Sequence, residues 1–327
     1  MTMTPALQRL LDAEAGFAPE FGSGLANHRP MALHALARLG ANDARLEAFA
    51  RLYEPRLAAA PAPQPWPLGT AWAERLGQPE AWPVYRDLFA QWLYHESPSE
   101  MLPQVLPRLM LGAGGAGFHG LIRTAYAAAA GHRAELRDAL AAWAACWLPL
   151  GQAQPDARPT TDDPEVLLRQ LRVVRAGRGL IVDGLRAAAQ ARGFDALCAR
   201  LALGPGTLPQ LARLAAKAYA ASGNFAVLHL VTSALAMHEL TRFLDPEEPE
   251  KAQAALAAYW RAFAATVSSA GIVPRPALAP PPWAQLVQAA CASDDDHAIK
   301  LVDACVQWQA IDPDGPWQAA AARALAG

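Results

Sequence analysis

Three proline-rich runs constrain what this chain can fold into. The first, within Glu54–Gly69, ends Pro61-Ala62-Pro63-Gln64-Pro65-Trp66-Pro67. It cannot be helical, because proline lacks the amide donor and restricts the residue before it. Leu148–Pro164 and Ile272–Pro282 behave likewise. They leave blocks of roughly 1–53, 70–147, 165–270 and 283–326, rich in alanine and leucine and poor in β-branched residues. Apolar residues recur there at three- and four-residue intervals, which is the period of helix rather than strand. The fold class is therefore all-α. Each block carries a broad apolar stripe that needs the other blocks for burial, so the proline runs read as long loops over one large multi-helix domain spanning 1–327.

Helix starts are well marked. Ser97-Pro98-Ser99-Glu100, Thr161-Asp162-Asp163-Pro164, and Ser293 with Asp294–Asp296 supply caps and negative charge at N-termini. No repeat with a period of about 20–50 residues stands out, which argues against a helical solenoid.

At 327 residues and 53% hydrophobic content the chain can bury a sizeable core. A net charge of -2, with no dense basic cluster, gives no pull on phosphate polymers, so nucleic acid is not an expected partner. Cys146, Cys198, Cys291 and Cys305 are far apart and lack CxxC pairing, which points to free thiols in a reducing cytoplasm. Residues Met1–Phe17 do not resemble a secretory signal, and no apolar window approaches the roughly 20 residues that a bilayer requires.

The clues to chemistry are polar residues set in apolar surroundings. His119 follows the run Gly112-Ala113-Gly114-Gly115-Ala116-Gly117, which permits close backbone approach but lacks the Lys-Ser/Thr ending of a phosphate loop. On the helix after it, His119, Ile122, Arg123 and Tyr126 share a face by spacing, mixed in character as a pocket wall would be. His229 shares its face with Phe225, Thr232, Ser233 and Ala236; it is either a core histidine bonded to a backbone carbonyl or part of a site. His28 and His34 lie six residues apart, too far for a helical ligand pair, and His34 reads as a packing or surface residue. His95, His132 and His238 adjoin charges or turn signals and read as surface residues.

Lys300 is one of three lysines against twenty-five arginines, set among aliphatic residues. Buried, its ammonium would lose its proton and could act as a base, form a Schiff base or take up carbon dioxide as an anionic carbamate. Alternatively its stem lies along the helix and its ammonium reaches Asp296 or Asp303, four and three positions away.

The segments Asn27-His28 with Leu39-Gly40-Ala41, Phe118-His119-Gly120-Leu121-Ile122-Arg123, Leu228-His229-Leu230-Val231-Thr232-Ser233 and His297-Ala298-Ile299-Lys300-Leu301-Val302 together resemble the questin oxidase family, in the order that family shows. The resemblance implies an oxygenase-like oxidoreductase related to enzymes that open an anthraquinone ring, acting on an aromatic polyketide-like small molecule. It implies either a non-haem Fe(II) reaction, with histidines and a carboxylated lysine holding the metal, or a metal-free NADPH-linked Baeyer–Villiger-type reaction. Carried over by position, the metal ligands are His28, His119, His229 and Lys300, with Arg123 and Tyr126 as catalytic candidates. Where iron-binding members are expected to carry a second histidine one turn after Asn-His, this chain has Ala32. A non-catalytic helical binding protein that retains the fold is the remaining alternative.

Overall fold

Each block between the proline runs folds into helices and stops where the prolines begin. The computed structural model describes residues 3–67, 69–151, 154, 157–174 and 179–326. The first block holds α1 (Pro5–Ala13), α2 (Arg29–Arg38) and α3 (Asp43–Tyr53). The second holds α4 (Trp82–His95), α5 (Pro98–Leu109), α6 (His119–Ala130) and α7 (Arg133–Ala145). The third contains α8 (Pro164–Leu168), α9 (Ile181–Ala189), α10 (Phe194–Cys198), α11 (Thr207–Ser222), α12 (Phe225–Thr241) and α13 (Pro249–Ser269). The last contains α14 (Trp283–Ala292), α15 (Asp296–Ile311) and α16 (Trp317–Leu325). Of the expected loops, Leu68 and residues 152, 153, 155 and 156 lie outside the described residues, as do Met1 and Thr2 of the N-terminal stretch. Ser97 and Glu100 form the expected capping box, and Asp163 and Asp295 cap α8 and α15.

The fold is all-α apart from a two-stranded antiparallel ribbon, Glu20–Phe21 against Leu25–Ala26, turned through Gly22 and Gly24 at positive φ. This hairpin, with strands of two residues each, is too short to show alternation in the sequence. No helix among the described residues is long and apolar enough to cross a membrane.

α12 is buried on nearly all sides, from Val227 through Met237, as an interior helix must be. It packs against α6, α11, α13 and α15. α15 packs in turn on α2, and α2 on α6, closing a ring of α2, α6, α12 and α15. Beneath it, buried ion pairs fix the entry to α2. Arg29 Nε donates to Glu14 at 2.5 Å, Asn27 Nδ2 donates to Glu14 at 3.2 Å, and the Arg29 amide donates to Asn27 Oδ1 at 3.0 Å. Asn27 therefore holds the chain just before His28.

Candidate metal centre

Each helix of the ring contributes one histidine near its start. His28 caps α2, His119 opens α6, His229 lies in the second turn of α12, and His297 is the second residue of α15. The rings meet. His28 stacks on His119 with centroids 4.5 Å apart, His119 lies 4.9 Å from His229, and His297 is 4.6 Å from His28 and 5.5 Å from His229. His28, His119 and His297 each offer a ring nitrogen, and those nitrogens lie within 4.8 Å of one another.

The backbone before α6 is shaped for this. Ala116, Gly117 and Phe118 have φ of 47°, 63° and 75°, a run of three left-handed residues. Such a conformation costs about 1–3 kcal/mol at a non-glycine residue. The turn places the Ala116 carbonyl where it accepts a hydrogen bond from His119 Nδ1. The glycines around it serve contact with α7 and the residues that follow it: a Cβ on Gly112 would collide with the Trp147 ring, and one on Gly115 with the Cys146 carbonyl.

The acceptors fix the tautomers. His229 Nδ1 lies 2.9 Å from the Phe225 carbonyl, and His119 Nδ1 is bonded to that of Ala116. His28 Nδ1 and His297 Nδ1 both lie 2.8 Å from Asp296 Oδ1. A carbonyl or a carboxylate only accepts, so all four Nδ1 atoms carry the proton, and in neutral rings every Nε2 is a lone pair. His229 Nε2 and His297 Nε2 are buried without a partner. His28 Nε2 and His119 Nε2 face each other at 2.7 Å. Two lone pairs at that distance repel unless a cation lies between or beside them.

The electrostatics keep His28, His119 and His229 neutral. Burial, with the charge of Lys300, holds His28 down at about 3, and burial holds His119 and His229 well below the ordinary histidine range. The N-termini of α2, α6 and α15 add partial positive charge that disfavours imidazolium. Asp296 has the opposite fate. Burial alone would raise its carboxyl, but Lys300 and the hydrogen bonds from His28 and His297 outweigh that and hold it below the usual carboxylate range. Lys300 is buried, its Nζ 3.7 Å from Asp296 Oδ1, and burial pushes it down to about 8.

A cavity of about 720 Å³ opens onto His28, His119 and His297. Its walls include Phe21, Tyr53, Trp147, Leu180, Ile181 and Phe225, with Arg56, Arg186, Asp294 and Asp295 also lining it. Tyr53 accepts a hydrogen bond from the His28 amide at 3.3 Å.

Residues 208–305 match the family model described as Questin oxidase-like. The match supports the family assignment and suggests an oxidoreductase. It is narrower than the sequence resemblance: it contains His229, Asp296, His297 and Lys300 and stops short of His28 and His119. No curated protein matches the chain.

Of the four expected ligands, His28 and His119 meet nitrogen to nitrogen, the His229 ring adjoins that of His119 but its nitrogens lie outside the group within 4.8 Å, and Lys300 sits beside Asp296, though His28 and Lys300 stand at opposite ends of the sequence. Arg123 and Tyr126 are not brought into the cluster. Both Arg123 Nε and Nη2 donate to Glu135, at 2.6 and 2.8 Å, and the Tyr126 hydroxyl donates to Asp303 at 2.8 Å. At about 1.5 Å rise per residue they lie roughly 6 and 10 Å further along α6 than His119, although Arg123 and His119 both line a small pocket beside the large cavity. His132 corrects the surface reading. It is buried, accepts from the Glu135 amide at 3.0 Å and contacts Asp12 at 3.1 Å, capping α7. His34 is fully buried, stacked parallel to Tyr126 at 6.0 Å, and both its ring nitrogens lack partners. His297 and the bridging role of Asp296 were missed, because the acidic run before α15 had a sufficient explanation as a helix cap.

Proposed function

We propose that the chain is a non-haem metal-dependent oxygenase in which His28, His119, His229 and His297 present Nε2 to an iron(II) ion. The observation that carries this reading is the cluster of four imidazoles, each held in its tautomer by an oxygen acceptor on Nδ1, with His28 and His119 Nε2 face to face and those of His229 and His297 buried without a partner. That is how proteins orient metal-bound imidazole. Neutral imidazole suits first-row divalent metals, and iron with open positions supplies dioxygen chemistry when bound. His297 takes the place of the histidine that Ala32 withholds.

Lys300 is the anionic candidate once carboxylated. Its buried amine is poised to shed its proton, as carbamate formation requires. Asp296 binds no substrate in this scheme; it orients two imidazoles and balances positive charge. The aromatic lining of the large cavity suits a planar, polyketide-like substrate held with its edge toward His28 and His297.

The deciding experiment is metal analysis of the full chain purified without chelator, followed by anaerobic iron(II) titration. Stoichiometric, tight binding that disappears in His119→Ala supports the reading. Absence of any first-row metal affinity, with NADPH consumed in the presence of an aromatic ketone, would favour the metal-free oxidoreductase instead. Neither metal affinity nor NADPH consumption would leave a binding protein.

A further inference from the structure

The large cavity carries a charge pattern of its own. Its wall holds the acids Glu20, Asp294, Asp295 and Asp296 and the cations Arg56 and Arg186. Three of the acids are engaged. Asp294 accepts from Arg45 at 2.9 Å, Asp295 accepts the His297 and Ala298 amides at 2.8 and 3.3 Å, and Asp296 bonds His28 and His297. Glu20 lies toward Cys146, whose thiol feels its charge. Of the two cations, Arg186 sits 3.9 Å from Asp183, three residues before it. Arg56 has no anionic partner among the described residues; its guanidinium lies over the Tyr53 ring, 5.0 Å from the centroid.

Tyr53 ties that cation to the imidazoles. Its ring is buried, its hydroxyl accepts from the His28 amide at 3.3 Å, and the charges of Asp296 and Arg56 both act on that hydroxyl. Arg56 is thus one side chain removed from His28. A guanidinium laid on an aromatic face is braced by that contact and keeps its N–H edge free, and the fork of that edge matches the two oxygens of a carboxylate. Phe225 supplies an apolar surface in the same cavity. Its ring stays 56% exposed, although it meets those of His297 at 4.8 Å and His229 at 5.0 Å. Contacts therefore run from Phe225 through His297, His28 and Tyr53 to Arg56, which are surfaces for the ring, the reacting edge and the acid group of one ligand.

We propose that the cavity selects an aromatic ligand carrying an acidic oxygen, a carboxylate or a phenolate, and that Arg56 binds that oxygen. The proposal names the substrate class for the oxygenase reading above and rests on that reading for the reaction alone, since the binding itself needs no metal.

The test is calorimetric titration of the full metal-free chain with an anthraquinone monocarboxylate and with its neutral carboxamide. The wild type should bind the carboxylate about tenfold more tightly, as a charge-assisted hydrogen-bond pair at an exposed arginine provides. Arg56→Gln should remove that preference and leave carboxamide binding unchanged. Arg56→Lys, which keeps the charge without the fork, should keep part of it, and Arg186→Gln should keep most of it. A hydroxyanthraquinone titrated through the ionisation of its own hydroxyl separates the two acids: tightening on ionisation that is lost in Arg56→Gln assigns a phenolate, and no tightening assigns the carboxylate. Equal binding of acid and amide by the wild type, binding of neither, or a preference that survives in Arg56→Gln overturns the proposal. A preference lost equally in Arg186→Gln overturns it as well, because the cause is then the field of the cavity and not a contact. Iron(II) uptake, measured separately, tells the two readings apart. A chain that takes up iron without any acid preference keeps the oxygenase reading and loses this one, whereas an Arg56-dependent preference in a chain that binds no first-row metal keeps the acid site and loses the oxygenase.

Discussion

Replacing His229 with alanine separates a ligand from a core residue. In the metal-free protein the change removes one hydrogen bond to the Phe225 carbonyl, about 0.5–1.5 kcal/mol, and also removes the unsatisfied buried Nε2, about 1–3 kcal/mol in the opposite sense. The ring faces other imidazoles and Phe225 rather than aliphatic packing, so metal-free stability should move by no more than about 1–2 kcal/mol. The loaded protein is different. Metal at a thousand times its Kd stabilises by about 4.1 kcal/mol. Unfolding entropy of about 2.1 cal/mol/K per residue, over 327 residues, gives about 0.7 kcal/mol/K and hence a rise of about 6 °C in Tm. Calorimetry with and without cobalt(II) or anaerobic iron(II) should show that rise in the wild type and not in His229→Ala. A variant that keeps its metal content and metal-induced shift but melts many degrees lower when metal-free would refute the ligand role and make His229 a packing residue.

Asp296→Asn should weaken metal binding by about 10–100-fold, because both His28 and His297 lose the carboxylate that orients them; chelator competition measures it, and unchanged affinity removes the orienting role. Lys300→Arg keeps a positive charge beside Asp296 but cannot form the lysine carbamate, so metal occupancy should fall, and bicarbonate should raise occupancy in the wild type alone. Full occupancy in the variant leaves a site of imidazoles only. His34→Leu should stabilise the chain and flatten its acid sensitivity. Burial, then the neighbouring charges of His132, Arg38 and Arg123, push His34 from 6.5 down to about 3. The unfolded chain therefore takes up a proton that the folded chain refuses between those values. Stability is whole above pH 6.5 and falls as pH drops toward 3, by up to about 1.4 kcal/mol per unit, and urea titrations across that range should lose this slope in the variant.

The helical blocks were legible because proline and a 3.6-residue period act locally. Pro282 precedes Trp283 at the start of α14, and Pro164 opens α8, where the sequence placed the boundaries. The meeting of His28 with Asp296, 268 positions apart, was not legible from spacing, and the family resemblance linked His28 only to Lys300 at that end of the chain. His132 was misread because Gly131 and Arg133 look like a surface turn, whereas an imidazole can cap a buried helix as well as sit in water. Lys300 was half legible. Its rarity and apolar neighbours marked it, but the contact with Asp296 belonged to the exposed-ammonium reading and the burial to the other, and the structure combines the two. His297 was hidden by the aspartates before it, since a capping run explains its own charges and gives no reason to look at the next residue.

Several disfavoured features of this chain collect at one end of the helix ring. Ala116 and Phe118 hold left-handed backbone, three helix N-termini turn partial positive charge toward His28, His119 and His297, and two Nε2 lone pairs face each other at 2.7 Å. None of these stabilises a metal-free core. Leucines in place of the histidines would remove the lone-pair repulsion and the orphaned nitrogens together. The backbone strain is carried by packing, for Phe118 is fully buried and its ring meets Tyr259 at 6.2 Å, so the left-handed turn persists whatever occupies the site. The lone-pair repulsion has no such support. A cation held by the His28 and His119 Nε2 atoms turns that repulsion into attraction, and Asp296 already holds the compensating negative charge against His28, His297 and Lys300. Metal binding should therefore act on stability through the imidazoles alone and leave the turn before α6 unmoved. The position of Ala116 and Phe118 in metal-free and metal-loaded crystals tests that separation.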